Sequence, residues 1–268
     1  MNDTSQPAPH LVFPQFAELK GKAVLVTGAS TGIGAAVARA FGAQGAKVAV
    51  HYNQSKDRAN EVVAAIKGAG GDAFAIGGDV SRVKLVTEIV DRTAQHFGRL
   101  DILINNAGSL VKRVPIFEVS DDHYDAVLDL NVRSVVAACR AAIPHFRKQG
   151  AGNIINTTSI AARNGGGYGA VLYASAKGFV STFTRGLAKE MVKENIRVNA
   201  VAPGVIATPF HERFSTAEQI KAMTATIPMA RLGSSEECVG AYLYLASNAM
   251  SGYVTGQVIE VNGGQLMP

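Results

Sequence analysis

Tyr173 and Lys177 stand four positions apart in the stretch Tyr173-Ala-Ser-Ala-Lys177. On a helix this spacing puts both side chains on one face, a turn apart. A free phenol has a pKa of about 10 and is a poor acid or base near neutrality. An ammonium held nearby favours the phenolate and lowers that value, so the paired Tyr can move a proton at a carbon–oxygen centre. By itself the spacing also describes an ordinary surface pair, and its meaning depends on what stands beside it. Ser159 stands at the C-terminal end of Asn153–Thr158, which reads as a strand, and there its hydroxyl can hold a substrate oxygen while the Tyr handles the proton. Tyr168 is a rival phenol, but the residue four beyond it is Leu172 and not a Lys.

The elements that must position these groups begin with a strand, a glycine turn and a helix. Lys22–Thr27 is an apolar run of buried-strand type. Gly28-Ala-Ser-Thr-Gly32-Ile-Gly34 follows, and Ala35–Ala43 reads as an Ala-rich helix. This layout brings backbone N–H groups and a helix N-terminus up to a phosphate. Gly28 permits the tight turn, and Gly32 and Gly34 permit close backbone approach; Ser30, Thr31 and Ile33 complete the cradle. A glycine turn that binds nothing is the plain alternative. Ala46–Tyr52 is the second strand, whose end meets the adenosine ribose in a dinucleotide site. A carboxylate there would accept from the ribose 2′-hydroxyl and repel a 2′-phosphate. The stretch Tyr52-Asn53-Gln54-Ser55-Lys56 has none before Asp57. Asn53 and Ser55 offer donors, and Lys56 and Arg58 offer charge, which favours NADP(H) over NAD(H). Against this, Thr31 is not the Arg or Lys that would strengthen the case, and a solvated turn has the same polar residues.

Strands and helices alternate through the rest of the chain. Ser55–Gly68 and Arg82–Phe97 read as helices, Ala73–Ile76 and Leu100–Ile104 as strands, and Ser120 to about Lys148 as a long helical region. A helix carries Tyr173 and Lys177 to about Glu194, Arg197–Ala202 is a sixth strand, and Ser234-Ser235 starts a helix running to about Ala246. Gly256–Val261 is a seventh strand. Alternation predicts a parallel sheet with helices on both faces and ligands at the strands' C-terminal edge. Asp79 and Val80 then line an adenine pocket, unless Asp79 serves as a helix cap. Asn105-Asn106-Ala107-Gly108 makes a wall of small residues and amides at the fourth strand's end, or else a plain turn. Asn131, within Leu-Asp-Leu-Asn-Val, is either structural or the holder of a water in a proton chain. Thr208, after Pro203-Gly204-Val205-Ile206, can reach a carboxamide. Pro209–Met229 is the candidate substrate lid.

The bulk numbers set limits. With 268 residues, 47% hydrophobic and 18% charged, the chain can bury a large core and is not disordered. Its net charge of +5 is scattered and forms no nucleic-acid stripe. Cys139 and Cys238, the only cysteines, suit a reducing compartment. Met1 to His10 lacks the features of a secretory signal, and no stretch spans a bilayer, so a cytoplasmic protein without membrane partners is expected. His51, His96, His123, His145 and His211 are isolated and read as ordinary surface or helix residues, and no cluster has metal-ligand spacing. Residues 1–20 form an arm containing Pro7, Pro9 and Pro14, disordered at the front, with Leu11, Val12, Phe13 and Phe16 available to dock on the body.

Taken in one order, Thr27-Gly28-Ala-Ser-Thr-Gly32-Ile-Gly34, Asn105-Asn106-Ala107-Gly108, Asn131, Ser159, Tyr173-Ala-Ser-Ala-Lys177 and Pro203-Gly204 resemble the short-chain dehydrogenase/reductase family. The likeness covers residues 20–264. It implies an α/β fold: a single Rossmann-type, doubly wound, seven-stranded parallel sheet over residues 21–268, with helices on both faces. It implies hydride exchange between NAD(P)(H) and a ketone/secondary alcohol pair, and a catalytic tetrad of Asn131, Ser159, Tyr173 and Lys177. In that scheme Tyr173 is the acid/base and Ser159 orients the carbonyl oxygen. Lys177 binds the ribose and lowers the Tyr pKa, and Asn131 holds a relay water. The cofactor set is Gly28, Ser30, Thr31, Gly32, Ile33, Gly34, Tyr52, Asn53, Ser55, Asp79, Val80, Asn106, Ala107, Gly108, Tyr173, Lys177, Pro203, Gly204, Ile206 and Thr208. Many members are homotetramers built on the two long helices. One departure is the separation of fourteen positions from Ser159 to Tyr173, longer than usual. The extra residues near Asn164-Gly-Gly-Gly-Tyr168 are expected to loop out without moving either catalytic group.

The substrate stays open. The resemblance points equally to 3-oxoacyl-thioester reductases and sugar dehydrogenases. Arg163, Asn164, His211 and Arg213 suit a polyol or an acid, while Val205, Ile206, Phe210 and Phe214 suit an acyl chain. The rival from another class is a dinucleotide-binding sensor without chemistry, which would be expected to lack the Tyr or the Lys.

Overall fold

A computed structural model describes residue 11 and residues 13–267. The expected disorder at the front of the arm, with Pro7 and Pro9, and the docking of Val12 lie outside the described residues. Seven parallel strands form one sheet: β1 (Ala23–Val26), β2 (Lys47–Tyr52), β3 (Asp72–Gly77), β4 (Ile102–Asn105), β5 (Gly152–Thr157), β6 (Ile196–Pro203) and β7 (Val258–Val261). Their spatial order is β3-β2-β1-β4-β5-β6-β7.

The strands are apolar on both faces, and their alternation sorts them between two cores. Val24, Val26, Val48, Val50, Ile102, Ile104 and Ile155 pack on one face against α1 (Gly32–Ala43), α2 (Lys56–Gly68) and a helix over Ser235–Ala246. Leu25, Ala49, Leu103, Ile154 and Val198 face the opposite way. There they meet α3 (Val83–Phe97) and the helices carrying Val135 to Phe146 and Val180 to Met191. Each fully buried Leu, Ile or Val contributes about 1.5–3 kcal/mol relative to exposure. The chain order reverses between β1 and β4, and the crevice at that switch point opens at the strands' C-terminal ends.

The helical region expected from Ser120 to about Lys148 is present as three consecutive segments. It comprises α4 (Asp121–Leu128), a π-helical segment (Asp129–Arg133) and α5 (Ser134–Gln149). Asn131 lies in the π segment, fully buried. Such wide turns are frequent at functional sites. Next come α6 (Ala161–Asn164), α7 (Val171–Met191), α8 (Pro209–Phe214), α9 (Ala217–Ala225), α10 (Ser235–Ala246) and α11 (Asn248–Ser251). Ser234 caps α10 as its sequence suggests, accepting from the Glu237 N–H while the Glu237 side chain accepts from the Ser234 N–H.

Part of the arm joins the body. The Phe16 N–H donates to Gln44 Oε1 at 2.7 Å, and Gln44 Nε2 donates to the Pro14 carbonyl at 3.1 Å. Phe13 and Phe16 pack against the first core, while Leu11 stays exposed. Glu18 accepts from the Asn248 and Ala249 N–H groups at the start of α11.

Candidate active site

The loops at the C-terminal edge of β1, β2, β4, β5 and β6 enclose a cavity of about 790 Å³. Of the residues singled out from the sequence, Gly28, Ser30, Thr31, Gly32, Ile33, Gly34, Asn53, Ser55, Val80, Asn106, Ala107, Gly108, Ser159, Tyr173, Lys177, Pro203, Gly204, Ile206 and Thr208 line it.

Its phosphate end is built from backbone. Gly28 has φ +63° and Gly32 φ +55°, values that L side chains rarely adopt. A Cβ on Gly34 would fall 2.3 Å from the Gly28 carbonyl oxygen, so α1 can meet the turn only through glycine. Thr31 caps α1 without a side-chain hydrogen bond, which leaves the first-turn N–H groups directed into the cavity mouth. Asn106 fixes the turn from the neighbouring strand, donating to the Thr27 and Gly28 carbonyls at 3.0 and 3.1 Å. Thr27 Oγ1 accepts from the Asn106 and Ala107 N–H groups. The side chain of Asn106 is therefore spent on the loop, and Ala107 and Gly108 supply the wall.

His51 corrects the sequence reading. It is buried and not an ordinary surface histidine. Nδ1 accepts from the Gly28 N–H at 3.0 Å, while Nε2 lies 2.8 Å from the Gly78 carbonyl and donates to it. Only the neutral ring protonated at Nε2 can make both bonds. Burial pushes its pKa below the usual histidine value. Tyr52, the expected ribose contact, does not line the cavity. The period of two that aims His51 at the glycine turn aims Tyr52 at the first core, where its ring covers Gly77. Asp79 is likewise outside the lining; its Oδ1 accepts from the Ser81 N–H and hydroxyl at 2.9 and 2.8 Å, a local turn bond.

At the other end stand the reacting side chains. α7 carries Tyr173 and Lys177 on one face, with Lys177 Nζ 5.7 Å from the centre of the Tyr ring. Lys177 is buried and donates to the Thr157 carbonyl at 2.8 Å, which leaves two of its three N–H donors for a ligand. Burial holds its pKa at about 8. Burial pushes the Tyr173 phenol up to about 12, against a hydrogen bond with Ser159 that pulls it down. The ammonium does not bring the phenol below its ordinary value: desolvation dominates, and the Ser159 hydrogen bond acts against it. Ser159 and Tyr173 line the same cavity despite the longer connection, which loops out through Gly165, Gly166 and Gly169, all at positive φ.

Asn131 sits behind Gly108 and does not line the cavity. Its amide donates to the Ser109 and Val127 carbonyls, both at 2.8 Å, and accepts from the Ser109 N–H at 3.1 Å. A Cβ on Gly108 would meet Asn131 Oδ1 at 2.8 Å and Lys177 Nζ at 3.0 Å, so both groups converge on that glycine. The segment Pro209–Met229, the candidate lid, contains α8 and α9, and Phe210 of α8 approaches Tyr173 with ring centres 5.7 Å apart.

The cavity fits a dinucleotide. It has room for one, free amides at α1 for a pyrophosphate, free Lys177 donors for ribose hydroxyls and, among the described residues, no Asp or Glu in its lining. The comparisons agree. A family model described as "Enoyl-(Acyl carrier protein) reductase" matches residues 28–265. The chain belongs to the short-chain dehydrogenase/reductase family. It is an oxidoreductase of that family, acting on a C=O/CH–OH pair, so the reading as a sensor without chemistry falls.

A 3-oxoacyl-[acyl-carrier-protein] reductase of Synechocystis sp. is 40% identical over 93% of this chain and 98% of its own. A 3beta-hydroxysteroid dehydrogenase 1 of Eggerthella lenta is 41% identical over 94% and 96%. Among solved structures, an NADH-dependent reductase A1-R′ responsible for alginate metabolism superposes with TM-score 0.87 at 38% identity, covering 94% of this chain and all of that one. A short-chain dehydrogenase from Burkholderia cenocepacia in complex with NADP gives TM-score 0.85 at 34% identity, covering 92% and 98%. Among the described residues no helix is long and apolar enough to cross a membrane.

Proposed function

We propose that residues 21–268 form one catalytic domain that interconverts a ketone and a secondary alcohol with NADP(H) as the favoured nicotinamide cofactor. The observation that carries this reading is the meeting of Tyr173, Ser159 and Lys177 in the cavity that holds the free N-terminus of α1. A nicotinamide held in this cavity would supply or take the hydride. Ser159 donates to the carbonyl oxygen and orients it. The Tyr173 hydroxyl, protonated at neutral pH, gives its proton to that oxygen during reduction and recovers it during oxidation. The Lys177 ammonium, charged below about pH 8, stabilises negative charge on the phenol oxygen and binds ribose hydroxyls. Asn131 holds Ser109 and the wall around Gly108, and a water relay there is part of the proposal.

Preference for NADP(H) is supported by the ribose end. Asn53, Gln54 and Ser55 line it, and the exposed Asp57 stays outside the lining. Ser55 caps α2 without a side-chain bond, leaving that helix N-terminus open to a 2′-phosphate. NAD(H) remains the alternative, since one similar structure holds NAD and another NADP. Titration of NADPH and NADH by nucleotide fluorescence tests it: NADPH is expected to bind at least about tenfold more tightly, and equal or reversed affinities overturn the preference. Among substrates, a 3-oxoacyl thioester is supported by the Synechocystis relative and a sugar or sugar acid by the alginate reductase. A cytoplasmic homotetramer without metal, membrane or nucleic-acid partners completes the reading.

A further inference from the structure

The cavity's charges are one-sided. Its lining holds Lys177, Arg113 and Arg213 and, among the described residues, no carboxylate to balance them. Lys177 belongs to the catalytic phenol, and the cofactor's phosphates have the helix N-termini. Arg113 has neither role. Its Nε donates to the Phe214 carbonyl of the lid at 2.6 Å, and Nη1 donates to the Tyr168 carbonyl of the extended loop at 3.0 Å. Two of its five N–H donors are thus spent on backbone, and three remain. No carboxylate among the described residues pairs with it, although burial already disfavours its charge. A cation half-withdrawn from water without a counter-ion is costly unless a ligand completes it.

Position says which ligand. The Tyr173 and Phe210 rings lie 5.7 Å apart, Phe210 and Phe214 5.2 Å apart, and the Phe214 carbonyl holds Arg113. The guanidinium is therefore two aromatic contacts from the reacting phenol, on the lid side of the cavity and away from α1. His211, beside it, has its pKa lowered by burial and by the Arg113 charge, which disfavours a second cation there.

We infer that the substrate ketone carries a carboxylate, and that Arg113 receives it through its unspent N–H donors, joining the lid to the extended loop around the bound acid. The inference rests on the ketone-reductase reading. It makes Arg113 a specificity-determining residue, because a guanidinium fork matches the two oxygens of a carboxylate.

The test compares 3-oxobutanoate, 4-oxopentanoate and 5-oxohexanoate with their methyl esters, following NADPH consumption by the full chain. The best acid is expected to exceed its ester at least tenfold in kcat/KM. Arg113→Met brings that ratio to about one, mainly through the acid's KM, and Arg113→Lys falls between. Esters used as well as acids, or a ratio that survives in Arg113→Met, overturn the inference. Parallel loss on acid and ester would show only a tether between lid and loop, and overturns it too. In each of these cases ketone reduction itself still stands. If neither acids nor esters are reduced while NADPH binds, the inference is overturned, because no small oxo acid is then a substrate, and the family's C=O/CH–OH chemistry is untouched.

Discussion

The two ends of the cavity are built by different means. At the glycine turn, shape comes from backbone. Gly28 and Gly32 take conformations other residues avoid, Gly34 touches the Gly28 carbonyl, and His51, Thr27 and Asn106 pin the turn to β2 and β4. At the candidate lid, shape comes from half-buried side chains: Phe210 and Phe214 meet ring to ring, and Arg113 reaches two backbone carbonyls. The first end suits a ligand that never changes; the second is open to retuning by a few substitutions. Relatives named as a 3-oxoacyl-[acyl-carrier-protein] reductase, a 3beta-hydroxysteroid dehydrogenase and a reductase responsible for alginate metabolism are 38–41% identical to this chain, as expected if the candidate lid end carries the variation.

The largest expected break in this contrast is Gly34→Ala. Its Cβ would stand 2.3 Å from a backbone oxygen and 2.5 Å from Asn106 Nδ2, so turn and helix must separate. Such a displacement costs about 100-fold in turnover, with weaker NADPH binding in a folded protein; unchanged affinity would mean the turn does not hold the phosphates.

A second prediction concerns pH. Lys177 loses its proton near pH 8, while Tyr173 stays protonated to about 12. Ketone reduction should be flat below pH 8 and fall about tenfold per unit above it, the pattern of one required proton. Alcohol oxidation, which needs the phenolate, should rise with pH. The same shift has a stability sign. The folded value lies below the ordinary 10.5, so between about 8 and 10.5 the unfolded chain binds the extra proton and stability from this group rises with pH.

The smallest effect belongs to His51. Its folded pKa is depressed, so below about 6.5 the unfolded state takes up a proton the native ring resists, and stability falls as pH falls. Protonated Nδ1 can no longer accept from Gly28. The melting temperature of the wild type should therefore drop by a few degrees more than that of His51→Asn between pH 7 and 5. Equal slopes would show that the ring does not titrate there.

What was legible in the sequence follows the same division. The strand–turn–helix at Gly28–Gly34 and the Tyr173/Lys177 pair are local patterns, so spacing reveals them. His51 was hidden because its partners, Gly28 and Gly78, lie on two other loops. The alternation in Val48-Ala-Val-His-Tyr52 was the available signal, since it sends His51 and Tyr52 to opposite faces. The π segment around Asn131 has no glycine or proline to announce it, and only a buried Asn between leucine and valine hinted at a break. Arg113 meets residues 55 and 101 positions away, a distance over which sequence gives no contact. The raised phenol pKa is invisible to spacing altogether, because it comes from desolvation by a folded wall.

The central claim is that the Tyr173 hydroxyl moves the proton while the nicotinamide site stands independently of it. Tyr173→Phe keeps the ring against Phe210 and removes only the oxygen. Turnover of the best ketone with NADPH should fall by about 10²–10⁴-fold, with the NADPH dissociation constant within a few-fold of wild type. Turnover at the wild-type rate in Tyr173→Phe would contradict the account.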